Sequence, residues 1–162
     1  MDLALQTVKT TSTAHPKPTS KKFSYGTAGF RGNACGLDSV MFRMGLLAVL
    51  RSKAKSGKVI GVVITASHNP VEDNGVKLVD PLGEMLEESW EKYATRLANA
   101  EAGELVGELK GIVTQTGLDF ANNASVAIAR DTRPSGDELV KSLIDGINAL
   151  SGTYHDYGEK EI

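Results

Sequence analysis

Ile64-Thr-Ala-Ser-His-Asn-Pro-Val-Glu-Asp-Asn-Gly-Val-Lys77 is the stretch from which the fold of this chain can be read. An apolar run that enters it, Val59 to Ile64, predicts a buried strand that delivers Ser67 into a short polar loop. Proline fixes φ and Asn-Gly tolerates a positive φ, so we expect Asn69-Pro70 and Asn74-Gly75 to punctuate that loop. Open α/β sheets place ligands at strand ends, which makes this loop a candidate site.

The candidate site competes with a plainer interpretation. A bare Ser-His pair also occurs on ordinary surface turns, and the pair alone does not distinguish the two cases. The stretch, however, gathers a hydroxyl, an imidazole and an ammonium on Ser67, His68 and Lys77. This fourteen-residue pattern is more specific than the pair.

Strands and helices alternate in the rest of the chain. Apolar runs from Val76 to Val79 and from Val126 to Ala129 predict two more buried strands, and Thr153 to Tyr157 predicts the beginning of another. Helical spacing and capping residues predict four helices, over Asp38–Ser56, Glu84–Ala100, Leu105–Val113 and Asp137–Leu150. We therefore predict an α/β fold with a mixed, mostly parallel sheet between helices.

Length and composition are those of one ordinary globular domain. The chain has 162 residues, of which 41% are hydrophobic and 23% charged, and its net charge is −2. No basic block points to nucleic acid, and the longest nearly apolar helical run, Val40 to Leu50, is too short to cross a membrane. The single Cys35 excludes an internal disulfide and favours a reducing, cytoplasmic location.

The first residues differ in composition from the rest. Residues 1–22 are rich in Thr, Ser, Lys and Pro, and His15-Pro16-Lys17-Pro18 excludes a helix there. We predict a flexible leader over 1–22, with a short helix at its beginning and a solvated His15, followed by the folded domain over 23–162.

A glycine-rich loop precedes the first predicted helix. Phe23-Ser-Tyr-Gly-Thr-Ala-Gly-Phe-Arg-Gly32 places three glycines around Arg31. Glycines let backbone N–H groups approach an anion, and a guanidinium can hold two phosphate oxygens at once. A glycine-rich turn with a solvated arginine is the alternative. The loop is not a P-loop, because no Gly-Lys-Ser/Thr follows.

A third polar loop follows the strand that ends at Ala129. Asp131 and Arg133 lie at that strand end, where a carboxylate and a guanidinium can orient other groups, or simply form an ion pair or a helix cap. Ser135 and Glu138 have the spacing of a capping box for the last helix. The loop thus repeats the strand-then-loop arrangement around Ser67.

The chemistry of Ser67 is better suited to phosphate than to hydrolysis. Ser67 lacks the flanking glycines of a hydrolase nucleophile elbow, and no Asp/Glu…His order supports a triad. A phosphorylated serine would carry about two negative charges, which lysine, arginine or a divalent metal can neutralise. Lys77 could act as a general acid or base if the loop folds back towards it.

Three motifs together resemble the α-D-phosphohexomutases. They are Tyr25-Gly-Thr-Ala-Gly-Phe-Arg31, the Thr65–Lys77 segment and Ala129-Arg-Asp-Thr-Arg-Pro-Ser-Gly136, in that order. Gly-Phe-Arg31 and the extension Val76-Lys-Leu-Val-Asp-Pro-Leu-Gly-Glu-Met85 look most like the eukaryotic phosphoacetylglucosamine mutase branch. The resemblance runs from Phe23 to Leu150. It implies the first domain of a mutase that interconverts N-acetylglucosamine 6-phosphate and 1-phosphate, for UDP-N-acetylglucosamine synthesis.

The resemblance also implies roles for individual residues. Ser67 matches the phosphoserine that donates and recovers the phosphoryl group, and one phosphoryl oxygen would bind Mg²⁺. Glucose or N-acetylglucosamine 1,6-bisphosphate would serve as the phosphorylating activator. Lys77 matches the position of proton transfer, and Arg31 would contact the transferring phosphate.

Four further residues receive supporting roles from the same resemblance. His68 and Asn69 would shape the serine loop and hydrogen-bond the phosphoryl group or the substrate. Asp131 and Arg133 would orient the serine loop or the lysine.

The chain departs from the family pattern in ways that limit these expectations. It has no Asp-Gly-Asp-Xaa-Asp stretch, the family's carboxylate source for Mg²⁺, and no counterpart of the sugar-selecting and C-terminal phosphate-binding loops. We therefore expect a C-terminally truncated first domain with negligible mutase activity of its own, and an exposed interface that a protein partner could cover. The alternatives are a non-catalytic phosphosugar-binding or interaction module, and a fragment of a phosphoglucomutase or phosphomannomutase.

Overall fold

The computed structural model describes residues 1–162, which form five α-helices, three short 3-10 helices and one five-stranded sheet. The helices are α1 (Asp2–Thr11), α2 (Asp38–Ala54), α3 (Glu88–Asn99), α4 (Leu105–Thr116) and α5 (Gly136–Ala149). The strands are β1 (Phe30–Asn33), β2 (Ile60–Ile64), β3 (Asp73–Val79), β4 (Ser125–Arg130) and β5 (Thr153–Glu159). None of the helices is both long and apolar enough to span a bilayer.

The sheet has the strand order β1-β3-β2-β4-β5 and is mixed. Strand β3 pairs antiparallel with both β1 and β2, whereas β2, β4 and β5 run parallel to one another. The predicted α/β fold with a mixed, mostly parallel sheet is confirmed: β1, β2, β4 and β5 run in one direction and only β3 runs against them. Strand β3 is reversed because the short connection of residues 65–72 can join β2 to β3 only as an antiparallel pair.

Alternation along β2 shows which sheet face is covered. Ile60, Val62 and Ile64 are almost fully buried, whereas Gly61 and Val63 are only partly buried. Helices α2 and α5 pack against the buried side, and α1, α3 and α4 pack onto other helices. The units β1-α2-β2 and β4-α5-β5 advance in the same direction along the sheet, so right-handed crossovers place both helices on one face.

Helix α2 is the centre of the hydrophobic core. Every residue from Ser39 to Lys53 is buried, as its nearly continuous apolar sequence predicted. The close approach of α2 and α5 depends on two glycines, because a Cβ on Gly146 would overlap the Phe42 carbonyl and one on Gly45 would overlap the Leu143 carbonyl. The helix is thus enclosed by the sheet, by α5 and by α3.

The N-terminal segment begins with the expected short helix but is packed against the domain rather than loose. Helix α1 has Leu5 and Val8 buried in the core. His15 is also buried, stacks on Phe42 and lies within hydrogen-bond distance of Asp38 and Asp145, at 3.0 and 2.8 Å. Composition did not indicate this packing, because the contacts of α1 are with α4 and α5, far along the chain.

Helix α3 begins four residues later than predicted, at Glu88 rather than Glu84. Asp80 is the reason: its carboxylate takes two hydrogen bonds from Arg51, at 2.9 and 2.8 Å, and a third from the Glu87 amide. These contacts hold the intervening residues in a turn. The predicted apolar stripe is nevertheless buried, and its members are Leu86, Trp90, Tyr93 and Leu97.

The α2–α5 contact predicts a large effect of one added methyl group. Gly146→Ala should lower the free energy of unfolding by about 1–3 kcal/mol, because two backbones must separate to make room. The matched control is Gly111→Ala in α4, where a Cβ meets nothing within 4 Å and helix propensity should stabilise by up to about 1 kcal/mol. Urea unfolding of both variants measures the difference, and equal effects at the two positions would contradict the packing described.

Candidate functional site

Ser67 lies in an exposed loop between β2 and β3, residues 65–72, which we call the serine loop. Its backbone is in the left-handed region, with φ of 52°. For a residue other than glycine this conformation costs of order 1–3 kcal/mol, and it persists only where the surrounding structure imposes it. The strain in this loop therefore falls on the serine itself.

Asn74-Gly75 do not supply the positive φ that the sequence suggested. Both residues belong to β3, where Asn74 pairs with Gly32 and Gly75 with Arg31. A Cβ on Gly75 would overlap the Phe30 carbonyl, lie 2.7 Å from the Thr65 carbonyl oxygen and lie 3.0 Å from Arg31 Cγ. The glycine is needed for close backbone approach, because the strands on both sides leave no room for a side chain.

Arg133 holds the serine loop from the end of β4. Its Nε donates to Asp131 Oδ2 at 3.2 Å. The remaining guanidinium N–H groups donate to four carbonyl oxygens, two from Nη1 and two from Nη2, which belong to Pro70, Asp73, Ser67 and Asn69. A guanidinium has five N–H donors, and all five of these have acceptors within the chain.

Asp131 connects Arg133 to the other side of Ser67. Its Oδ2 accepts a hydrogen bond from Thr65 Oγ1 at 2.6 Å, and Thr65 Oγ1 in turn accepts from the Ser67 amide at 3.1 Å. Partial burial raises the pKa of Asp131, but the hydrogen bonds from Thr65 and Arg133 and the charge of Arg133 outweigh it and lower the pKa overall. The carboxylate is therefore held ionised.

Lys77 and Arg31 lie on the less covered face of the sheet. Arg31 is opposite Gly75 and Lys77 is opposite Val63, so the two cations are diagonal neighbours on adjacent strands. Gly29, with φ of 74°, packs directly against the backbone and Cβ of Lys77. Neither cation takes part in an ion pair within the chain, so both are free to meet an anion.

His68 and Asn69 complete the serine loop in different ways. Asn69 Nδ2 donates to Asp73 Oδ2 at 3.2 Å and so braces the loop internally, whereas His68 is exposed and bonds to no other residue. The loop borders a shallow cleft of about 300 Å³, whose lining comprises Ser67, Asn69, Val71, Asp131, Thr132 and Arg133. The structure thus brings Ser67, Asp131 and Arg133 together at one cleft, while Arg31 and Lys77 lie on the neighbouring sheet face.

The residues around Ser67 do not form a magnesium site by themselves. No group of three or more His, Cys, Asp or Glu side chains in the chain is arranged to hold a metal. Asp131, at the cleft, already accepts from Thr65 and Arg133 on both oxygens. Mg²⁺ requires an octahedral oxygen shell, so a phosphoryl oxygen on Ser67 would supply only one of the ligands needed.

Three residues of the site were not assigned from the sequence. Thr65 bridges Ser67 and Asp131, and the fully buried Asn74 donates to Ser135 Oγ at 2.9 Å while accepting from the Gly75 amide. The Ser135 hydroxyl makes no cap contact, so the predicted capping box at α5 does not form. A hydroxyl residue at the first position after β2 was the available signal for Thr65, but nothing in the sequence indicates the long-range partner of Asn74.

Comparison with known proteins places these features in a family context. Residues 32–104 match the domain described as phosphoglucomutase/phosphomannomutase, alpha/beta/alpha domain I. The chain is 57% identical over 154 residues to the phosphoacetylglucosamine mutase of Mus musculus, covering 95% of this chain and 28% of the relative. It is 51% identical over 164 residues to that of Candida albicans, covering 94% and 30%. The chain thus spans less than a third of the length of these relatives.

Solved structures give the same result. An apo-form N-acetylglucosamine-phosphate mutase of the alpha-D-phosphohexomutase superfamily superposes with a TM-score of 0.93 at 52% identity, over 96% of this chain and 34% of the other. An Aspergillus fumigatus N-acetylphosphoglucosamine mutase variant in complex with glucose 1,6-bisphosphate gives 0.96 at 45% identity, over 98% and 29%. The same enzyme with GlcNAc-6P and magnesium gives 0.89 at 46% identity, over 97% and 28%.

The hydrogen bonds to Asp131 predict a specific acid sensitivity. Because its pKa is lower in the folded than in the unfolded chain, Asp131 stabilises the fold above its ordinary pKa and loses that contribution as the pH falls through the folded value. Between roughly pH 5 and pH 3 the free energy of unfolding should fall more steeply in the unsubstituted chain than in Asp131→Asn, which has no proton to bind there.

The control for this experiment is Glu88→Gln, which removes an exposed carboxylate from the first turn of α3, a helix that packs on α2 and α4 and not on the serine loop. Its unfolding free energy should follow that of the unsubstituted chain across the same pH range. If the free energies of unfolding of Asp131→Asn and of the unsubstituted chain fell in parallel with pH, the hydrogen bonds to Asp131 would not lower its pKa in the folded chain.

Proposed function

The chain belongs to the α-D-phosphohexomutase family, and from this premise we propose that it forms the phosphoserine part of a phosphosugar mutase. The reaction is the interconversion of N-acetylglucosamine 6-phosphate and N-acetylglucosamine 1-phosphate, which serves UDP-N-acetylglucosamine synthesis. One observation carries the proposal: Ser67 is exposed at a strand end beside a sheet face on which two cations, Arg31 and Lys77, have no ion-pair partner. A phosphorylated serine needs such cations.

Ser67 is the proposed phosphoryl carrier. In the first half-reaction the bond between Ser67 Oγ and phosphorus breaks while the sugar hydroxyl forms a new bond to phosphorus, which gives a 1,6-bisphosphate. After the bisphosphate reorients, Ser67 Oγ attacks the other phosphoryl group and is phosphorylated again. The two transfers together return Ser67 to its phosphorylated starting state, and a sugar 1,6-bisphosphate can also phosphorylate a free Ser67.

Lys77 and Arg31 are the proposed partners of the transferring group. The Lys77 ammonium gives a proton to the oxygen that leaves phosphorus, and the resulting amine takes the proton that the attacking hydroxyl loses, so Lys77 is charged again at the end of each transfer. Arg31 can hold two phosphoryl oxygens through its planar fork. Their adjacent positions in β1 and β3 support this division, because diagonal neighbours on one sheet face can reach the same group.

The remaining loop residues have supporting roles in the proposal. His68 is exposed and free to donate to a phosphoryl oxygen or to the sugar, and Asn69 keeps the serine loop in shape through Asp73. Asp131 and Arg133 orient the serine loop. The hydrogen bonds of Arg133 to loop carbonyls support this role over an action on Lys77.

Magnesium and a protein partner belong to the proposal only in a qualified form. Mg²⁺ needs several ligands that the residues of this chain do not provide, so Ser67 through its phosphoryl oxygen would be one donor among others. The half-buried sheet face that carries Gly61 and Val63 is the surface a protein partner would cover. The free Cys35 supports a reducing, cytoplasmic setting.

A second candidate function is a non-catalytic module that binds phosphosugars. It is favoured by the lack of any three-ligand metal cluster among the described side chains. The two candidates differ in whether Ser67 takes up a phosphoryl group. A mutase acting on glucose phosphate or mannose phosphate is less well supported, because the relatives compared above are mutases of N-acetylglucosamine phosphate.

Uptake of one phosphoryl group by Ser67 is the first test. Incubation with glucose 1,6-bisphosphate should add the mass of one phosphoryl group to the chain, and Ser67→Ala should abolish the adduct. The matched control is Ser151→Ala, since Ser151 is also exposed and left-handed, with φ of 58°. Ser151 precedes β5, whereas Ser67 follows the parallel strand β2, so the two serines lie at opposite ends of the sheet's parallel strands. An unmodified chain, or an adduct that persists in Ser67→Ala, would favour the non-catalytic module.

Full turnover by the 162-residue chain alone is expected to be negligible. The reason is chemical: the site offers two free cations and no metal-binding carboxylates to balance a transferring phosphoryl group. A coupled assay that consumes N-acetylglucosamine 1-phosphate measures the rate. Turnover close to that of a full-length phosphoacetylglucosamine mutase would refute the expectation.

A further inference from the structure

The backbone of Ser67 is held on both sides by one connected set of hydrogen bonds. The Ser67 amide donates to Thr65 Oγ1, and the Ser67 carbonyl accepts from Arg133 Nη2 at 2.9 Å. Thr65 and Arg133 both donate to the same oxygen, Asp131 Oδ2. Thr65, Asp131 and Arg133, which we call the clamp, therefore fix the two peptide groups that determine the φ and ψ of Ser67.

The clamp explains how an L-serine remains in the left-handed region. The chain has two other left-handed serines, Ser56 and Ser151, and both follow helix ends, where that conformation is common. Ser67 follows a strand instead, so no helix end imposes its conformation. The clamp supplies the constraint that a helix end supplies elsewhere.

Arg133 has no donor left for a ligand. Its five N–H groups are all directed to oxygens of the chain, and its side chain is only 10% exposed. A phosphoryl group on Ser67 could bond to Arg133 only if the serine loop first released some of its carbonyls. Arg31 and Lys77, in contrast, have no ion-pair partner to give up.

We infer that the clamp is a positioning device that sets the direction of Ser67 Oγ through the backbone, and that Arg133 is not a phosphate-binding residue although it lies in the same cleft. The inference deepens the proposed phosphoryl transfer and rests on it for its purpose. It assigns the three cations of the site to two tasks: Arg133 orders the loop that carries the serine, and Arg31 and Lys77 meet the phosphoryl charge.

Conservative substitutions of the two arginines separate these tasks. Arg133→Lys keeps the charge but loses the fork, so the amide NMR resonances of residues 66–73 should shift or broaden with no anion present. Arg31→Lys is the matched control and should leave those resonances in place. In a titration with inorganic phosphate, Arg31→Lys should weaken the phosphate-induced shifts at Lys77 and Ser67, whereas the Arg133 Nε–H signal of the unsubstituted chain should not move.

Two further variants keep the test valid if Arg133→Lys fails to fold. Thr65→Val removes only the hydroxyl and should shift the Ser67 amide resonance, because that amide loses its acceptor. In Arg133→Ala, millimolar guanidinium ion should restore the amide resonances of residues 66–73 to their positions in the unsubstituted chain, and ammonium should not, since only the planar ion can replace the fork. If Arg133→Ala had only destabilised the fold, guanidinium and ammonium would have the same effect on the loop resonances.

Defined outcomes would overturn the inference. Unchanged loop resonances in Arg133→Lys and Thr65→Val would show that the clamp does not set the loop. A phosphate-induced shift of the Arg133 Nε–H signal would show that Arg133 binds the anion. Failure of Ser67 to accept a phosphoryl group in the mass experiment would remove the proposed function but not the clamp, because the loop resonances are measured without phosphate.

Discussion

A short strand connection offers few backbone partners to its carbonyl groups, and in this chain a single guanidinium donates to four carbonyl oxygens in and directly beside that connection. Unpaired polar backbone groups near the surface are tolerated only if water or a side chain takes them up. Water would leave residues 65–72 free to adopt several conformations. Arg133, fixed by Asp131 at the end of β4, instead ties the loop to the neighbouring parallel strand, and the direction of Ser67 follows from that tie.

The sheet makes this tie possible through its strand order. Strand β2 has β3 on one side and β4 on the other, so the loop that leaves β2 lies between the beginning of β3 and the end of β4. The antiparallel partner brings Lys77, and beyond it Arg31, to one side of the serine loop. The parallel partner brings Asp131 and Arg133 to the other. A fully parallel sheet would have separated these two groups of residues by a helical crossover.

Much of the fold was predictable because its determinants are local. The apolar sequence of α2 indicates burial on all sides, and the apolar runs of β2 and β4 indicate core strands. The positive φ at Ser67 was not predictable, since it depends on Arg133, which is 66 residues away. Asn-Gly at 74–75 suggested a turn for local reasons, but strand pairing on both sides determined its conformation. The docking of α1 likewise depends on contacts that composition does not reveal.

The three cations near Ser67 fall into two groups: Arg31 and Lys77 face the position of a phosphoryl group, and Arg133 holds the serine loop. A phosphorylated Ser67 carries about two negative charges, and Arg31 and Lys77 can supply two positive ones, so the exposed face can balance the resting phosphoserine. During transfer the charge spreads over the moving phosphoryl group, and catalysis then depends on further preorganised cations or a metal. Arg133 cannot move to that task without releasing the loop that aims the serine. Under the proposed function, the residues of this chain would hold a phosphoryl group on a serine of fixed direction, whereas its transfer to a sugar requires charges that they do not supply.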